Sequence, residues 1–504
     1  MYDAIIIGAG IGGLTAAAKL AKNGLKVLIL EKIHHIGGTS YTFKRKGYTF
    51  PQGPLSFSFP NIVQDILNEV GITEKIRFER NHFQLISAEM DIVYSQNLKE
   101  FKEELIARFP AEEEGLDKFF NDLLSLIEVI ADIHQWHPDY LIGKEQEIAQ
   151  QNLHLHKEQL RLVEKYDKIP SKDLLDKYLH NQSLKKLLGS QGTYEPIMSM
   201  VHLAFMWNVM SQVGIWFPSC GIHGICDLLS ESLRAYGGEI KLRTPVKEIL
   251  IEKNRVIGVR TEDDDIFETF WVIANADYKK VFLEMIPPKH LSAPFRESVL
   301  NTPYTGSELC LYLGVDPKKV DISRMRANHL FYRSKMERDL TSPEDFKNKE
   351  IEICFWSNKS PEFAPIGQQS LVIRANMPYD LFEPWRIAEK KRKKGYKTYK
   401  EKLADKLISV AEEILPGLAD SVVVRDIATP LTYKDWGQRT DGSIAGWGRD
   451  IKKVRLNTKL LMKDPIDHLL VVGIYSVLEP FLGGFPVSMY TGNLAANFVL
   501  ETIL

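Results

Sequence analysis

The 504-residue chain predicts an α/β fold assembled from segments distant in sequence, joined to a mixed α+β unit with a helical insert. Three observations predict it. An apolar run at residues 4–7 meets the turn GAGIGG and an alanine-rich stretch. Strand patterning returns at residues 239–277 and again at 467–473, far from that start. Between 97 and 215 the hydrophobic period shifts from two to near four, the spacing of amphipathic helices.

The N-terminal stretch carries the strongest chemistry. Gly8 permits a tight strand-to-helix turn, Gly10 lets backbone approach a pyrophosphate, and Gly13 lets the helix pack closely on the sheet. Ala9, Ile11 and Gly12 complete the turn. The helix predicted over 14–22 aims free N–H groups and its positive dipole end at that point, where phosphate belongs. Residues 27–30 read as a second buried strand, and Glu31 closes it about 20 residues beyond the glycines, placed to accept from ribose hydroxyls. A carboxylate there repels a 2′-phosphate, which leaves FAD or NAD.

Lys32 and the following residues decide between these. The segment KIHHIGGTS places Gly37, Gly38 and the hydroxyls of Thr39 and Ser40 directly after the acid, a second backbone surface along an extended cofactor. This pair resembles the extended fingerprint of FAD enzymes of the amine oxidase and phytoene desaturase superfamily. His34 and His35 are adjacent and read as loop residues, not metal ligands.

Composition bounds the rest. The length suggests two to three domains. A net charge of −2 offers no global field for nucleic acid. Four cysteines without C-x-x-C spacing fit a reducing cytoplasm. The first strand begins near residue 4, which leaves no room for a targeting peptide, and no apolar run approaches the roughly 18 residues that span a bilayer. The expectation is a cytoplasmic protein, with peripheral membrane contact as its apolar option: residues 197–210, IMSMVHLAFMWNVM, are apolar on nearly every face.

In chain order, GYTFPQGPLSFSFP at 47–60 reads as a strand running into an ordered loop. It resembles the family segment that delivers an x-G-P turn beside the flavin ring, which implies cofactor contacts for Pro54, Leu55 and Ser56; Pro51 stands where many relatives carry Asp. Asn97 with Glu100 suggests a helix cap. Phe101, Leu105 and Phe109 share a face, Leu116 to Ile130 supply a wider stripe, and Ser171 can cap another helix. Residues 225–235 read as a helix, followed by strands at 239–242, 246–251 and 256–261. By resemblance, Val246 meets the adenine through its backbone. Further strands are expected at 271–277, 307–313, 351–355 and 370–376. The cationic run 390–394 is a solvated helix face or a patch for anionic lipid headgroups. At the C terminus a strand at 467–473, the turn PFLGGFPVSMYTG and a helix at 493–500 resemble the family element that presents N–H groups to the flavin pyrimidine edge, implicating Gly473, Gly484, Pro486, Val487 and Ser488.

Taken together, the chain resembles the phytoene desaturase, carotenoid isomerase and retinol saturase group over nearly its whole length. The resemblance implies a Rossmann-like, GR2-type FAD domain at 1–95, 216–285 and 426–504, a helical insert facing substrate or membrane at 96–215, and a mixed-sheet substrate domain at 286–425. It also implies redox chemistry at carbon–carbon bonds of a long apolar isoprenoid: desaturation, saturation or cis–trans isomerisation. Met198, Met200, Phe205, Met206 and Trp207 are candidates for a dry tunnel wall. An amine oxidase or a protoporphyrinogen-type oxidase is the alternative. His202, Tyr194, Trp436 and Arg449 lie near family-like segments without forming an acid–base set, and no metal-ligand spacing occurs. Catalytic residues and oligomeric state stay unassigned.

Overall fold

The computed structural model describes residues 1–94, 97–189, 198–335, 342–358, 360–456, 458–463 and 465–503. Two sheets organise them. In the first, the strands Leu469–Val471, Ile266–Ala274, Tyr2–Ile7, Val27–Leu30 and Glu239–Lys241 lie side by side, all parallel. Ala4, Ile5 and Ile6 are fully buried because helices or loops cover both faces, which is why these strands read as unbroken apolar runs. The first half of Ile266–Ala274 also closes an antiparallel meander with Val246–Glu252 and Arg255–Thr261.

The second sheet runs Val422–Ala428, Glu308–Val315, Gln369–Asn376, Glu350–Phe355, His329–Arg333, Phe83–Ser87, Asp91–Val93. Its pairs are antiparallel except that between His329–Arg333 and Phe83–Ser87. Alternation sorts its faces. Leu309, Leu311, Leu313, Ile351, Ile353, Leu371 and Ile373 pack in one core with Leu403 and Leu407 of the helix Tyr396–Ala411. Cys310, Tyr312, Cys354 and Val372 face the other way, into the core shared with the first sheet's helices. Sheet membership therefore assigns residues 83–93 to this second unit, inside the 1–95 segment proposed for the dinucleotide unit, and carries strand Val422–Ala428 across the 425/426 boundary.

The insert is helical as expected, with Leu98–Arg108, Glu113–Ile130, Lys157–Asp167, Ser171–Tyr178, Gln182–Gly189 and Met200–Trp207 among its elements. Asn97 caps its helix by accepting from the Lys99 amide at 2.9 Å, and its amide donates to Glu100 at 3.2 Å. Leu116, Phe119, Phe120, Leu123 and Ile127 are buried along one stripe. Ser171 is the first helical residue after a Pro170 cap, not the cap itself. Among the described residues no helix is long and apolar enough to cross a membrane.

Three helices start earlier than periodicity suggested: at Ile11, at Gly221 and at Gly484. Glycine and proline in a first turn look like loop in a sequence, but the first turn of a helix tolerates both. The cationic run is no helix face. Arg386–Ala388 and Lys391–Arg392 form a hairpin, and the helix begins only at Tyr396. Asp435 captures it, with Arg386 Nε at 2.9 Å, Arg392 Nη1 at 2.6 Å and the Lys390 amide at 2.9 Å.

Candidate functional site

The fingerprint glycines are each crowded by a different atom. Gly8 has φ +94°, and a β-carbon there would lie 2.6 Å from the Asn275 carbonyl oxygen. At Gly10 it would lie 2.5 Å from Asn275 Nδ2, at Gly12 2.7 Å from the Ser488 carbonyl, and at Gly13 it would run into the Gly8 carbonyl. The helix Ile11–Lys22 starts at Gly10 with no side-chain cap and no acidic residue in its first turn, so its leading N–H groups suit an anion. The second glycine pair belongs to the same surface. Gly37 donates to the Ala9 carbonyl at 2.8 Å, Gly10 and Gly37 form a parallel bridge, and a β-carbon at Gly38 would touch Gly10 Cα at 3.4 Å. Thr39 and Ser40 complete the turn Gly38–Ser40, with Ser40 buried.

Glu31 is buried and braces the loop it was expected to follow. Its Oε2 accepts from the Ala9 amide at 2.6 Å and its Oε1 from the Ile33 amide at 2.9 Å. Burial pushes its carboxyl above the ordinary value, against the pull of those backbone bonds. The Glu31 carbonyl accepts from the Thr244 amide at 2.8 Å, which brings the buried Val246 to the same edge. Lys32 turns away, donating to Gln438 at 2.7 Å.

Two further segments close the cradle. A β-carbon at Gly53 would lie 2.7 Å from the Thr39 carbonyl, so the turn leading into Pro54, Leu55 and Ser56 packs on the second glycine pair. Gly473, with φ +92°, accepts no side chain because Asn275 Oδ1 would stand 2.6 Å away; its amide donates to Thr491 at 2.9 Å. In the helix Gly484–Ile503, Pro486, Val487 and Ser488 are buried, the Ser488 hydroxyl donates to the Gly484 carbonyl at 2.7 Å, and Gly492 permits direct backbone contact with Gly12. Asn275 thus stands among Gly10, Gly12 and Gly473, its own amide donating to Ile7 at 2.8 Å. Residue-by-residue reading missed it. The available signal was position, directly after a parallel strand's carboxyl end, where α/β sheets bind ligands.

The remaining candidates divide. Met198, Met200, Phe205 and Trp207 are buried core, while Met206 is half-buried beside Arg449, whose Nη1 lies 3.5 Å from its sulfur. Arg449 Nη1 also donates to His202 Nε2 at 2.5 Å. Burial, then Arg449 and Lys459, hold His202 well below its usual range, so this histidine is neutral. Trp436 is half exposed with Lys390 over its ring at 4.3 Å, and Tyr194 lies outside the described residues. His34 and His35 sit in a loop, with His35 stacked on Tyr41 at 3.6 Å.

A polar row on the second sheet was missed as well. Arg374 Nη2 donates to Glu352 Oε1 at 3.0 Å, His329 Nε2 bonds the same oxygen, and Tyr433 donates to Glu308 Oε1 at 2.6 Å. Sequence hid it because Glu308, His329, Glu352 and Arg374 come from four separate strands and Tyr433 from a helix. The Gly53 carbonyl accepts from Arg374 Nη1 at 3.5 Å, which ties this row to the cradle.

The cradle fits an extended dinucleotide: free helix N–H groups for pyrophosphate, a buried carboxylate at the ribose position, and no room for a side chain at any fingerprint glycine. The family model described as flavin containing amine oxidoreductase matches residues 11–399. Chloroplastic prolycopene isomerase from Daucus carota is 28% identical over 99% of this chain and 81% of that protein. All-trans-retinol 13,14-reductase from Danio rerio is 24% identical over 98% of this chain and 86% of that protein. Among solved structures, a redesigned putrescine oxidase shares the fold with a TM-score of 0.66 at 14% identity, covering 99% of both chains. Matched over well more than half its length, the chain belongs to the flavin containing amine oxidoreductases, with FAD as its cofactor.

Proposed function

We propose that this oxidoreductase acts on carbon–carbon double bonds of a long apolar isoprenoid, carotenoid or retinoid in type, by desaturation, saturation or isomerisation. The observation that carries the reading is that the likeness to prolycopene isomerase and retinol reductase runs through the helical insert as well as the cofactor segments. FAD, when bound, supplies hydride or electron exchange. The chain's own residues supply dryness and orientation. Phe205 of the insert stands 6.3 Å from Phe481, just before the glycine turn, and Phe57 stacks on Phe485 at 5.0 Å. A polyene has no polar handle along its length, so affinity rests on buried area; roughly 400 Å² supplies about 10 kcal/mol before association costs.

The fold likeness to a putrescine oxidase carries no substrate. An amine site requires carboxylates or an aromatic cage around a cation. The test is spectral: long isoprenoids presented in detergent perturb the bound flavin spectrum, and biogenic amines neither perturb nor reduce it anaerobically. The reverse pattern replaces this reading with an amine oxidase. The same reading includes peripheral membrane docking, for which the hairpin offers exposed Ile387 and Lys390, Lys391, Lys393 and Lys394 beside Trp436.

A further inference from the structure

The inner face of the second sheet carries charge where its neighbours on the same face are apolar. Across the register, Arg374 stands opposite Glu352 on one side and Cys310 on the other, while His329 stands opposite Cys354 and Phe83. Phe83 packs on the His329 ring at 4.4 Å, and Phe331 and Val372 are buried nearby on the same face. Arg374 lies between two carboxylates, 3.0 Å from Glu352 and 3.9 Å from Glu308. Two atoms of this row, Arg374 Nε and His329 Nδ1, are buried without a hydrogen-bond partner among the described residues. Desolvating a row of this kind is expensive, and each unpaired polar atom adds its own uncompensated desolvation cost. Apolar residues would hold the sheet more cheaply, so the row is accounted for by something that uses it.

Its chemistry narrows what that is. Two carboxylates face one guanidinium and one imidazole, so the row has no surplus of positive charge for an anion. Burial pushes Glu308 above its ordinary value, against Arg374 and the Tyr433 hydrogen bond; Glu352 adds to the rise and Arg439 opposes it. What is lacking is an oxygen that both accepts and donates. The row also sits one turn from the flavin cradle, since Arg374 reaches the Gly53 carbonyl and Gly53 packs on Thr39.

We propose that this row is a subsite for a neutral oxygen on the isoprenoid, a hydroxyl that accepts from Arg374 Nε and donates to a flanking carboxylate or to His329 Nδ1. The inference rests on the isoprenoid reading and narrows it to oxygenated chains over pure hydrocarbons. A hydrocarbon end leaves Arg374 Nε unpaired, and a carboxylate end meets Glu308 and Glu352.

The experiment titrates flavin-loaded full-length protein with retinol, its deoxy hydrocarbon analogue and retinoic acid, reading flavin absorbance and tryptophan quenching. Retinol is expected to bind about tenfold more tightly than either comparison ligand, the ratio that one satisfied buried hydrogen bond supports. In Arg374→Met combined with Glu352→Gln, which removes both charges of the pair, retinol and the hydrocarbon converge while hydrocarbon affinity holds. His329→Phe is the second variant, and it narrows the same ratio. Equal binding of retinol and its deoxy analogue by the wild-type protein, the result if water alone fills the site, overturns the subsite and leaves the isoprenoid reading standing. A preference unchanged in both variants also overturns it. Binding of no polyene at all overturns the isoprenoid reading and this one together.

Discussion

Asn275 shows how one residue can crowd several glycines. Its backbone carbonyl, amide nitrogen and amide oxygen face Gly8, Gly10 and Gly473 respectively, so packing crowds each of these positions even without a ligand. The obstacles differ in kind, and so do the outcomes of substitution. At Gly8 a new side chain meets a backbone carbonyl at positive φ, which strains the turn itself. At Gly10 it meets the movable end of Asn275. Gly10→Val is therefore expected to fold, with a circular dichroism spectrum like the wild type, while its flavin content falls to about a tenth because the branched side chain blocks pyrophosphate approach. Stoichiometric FAD in that variant, read from the ratio of flavin to protein absorbance, would refute the phosphate assignment.

Elements fail and hold for reasons their own sequences do not contain. The helices Ile11–Lys22 and Gly484–Ile503 cross where Gly12 meets Gly492 backbone to backbone, so segments at opposite ends of the chain share one crossing. In the second sheet, stability is tied to pH through Glu352. Burial would raise its carboxyl, but Arg374 and His329 bring it down to about 2. A depressed carboxylate stabilises the fold above its unfolded value and loses that contribution as pH falls through its folded value; the shift corresponds to roughly 3 kcal/mol, about half of it gone by pH 3. Denaturant unfolding at pH 5 and pH 3 should show this loss in the wild type, whereas Glu352→Gln, though less stable overall, should lack that part of the slope. Parallel pH profiles for the two proteins would show that the ion pair does not couple to folding.

At the scale of the molecule, the question is which surface meets an apolar substrate's source. No described helix spans a membrane, and the cationic residues collect on a hairpin anchored by Asp435 rather than on a helix. Proposed docking through that hairpin is expected to be salt-sensitive, since exposed charges are screened within about 10 Å at 0.1 M and each contributes roughly 1 kcal/mol near an anionic surface. Flotation with phosphatidylserine vesicles at low salt should recover the wild-type protein on the membrane, and replacing Lys390, Lys391, Lys393 and Lys394 with glutamate should release it. Equal recovery in the soluble fraction with and without vesicles removes the docking surface.

Short-range chemistry made much of this protein readable from its sequence. The glycine turn, Glu31, the second glycine pair and the apolar parallel strands are local patterns, each demanded by backbone geometry within a few residues, and they sufficed for the fold class and for FAD. Helix starts at Gly221 and Gly484 escaped because glycine and proline disguise a first turn. What only tertiary structure decided lies between segments. Asn275 enters the cradle because the strand Ile266–Ala274 pairs beside Tyr2–Ile7, and residues 83–93 join the distant sheet because their partner, His329–Arg333, lies more than two hundred residues on. The row of Glu308, His329, Glu352 and Arg374 exists only once four strands are laid side by side, for no periodicity in one strand records which charges its neighbours will bring.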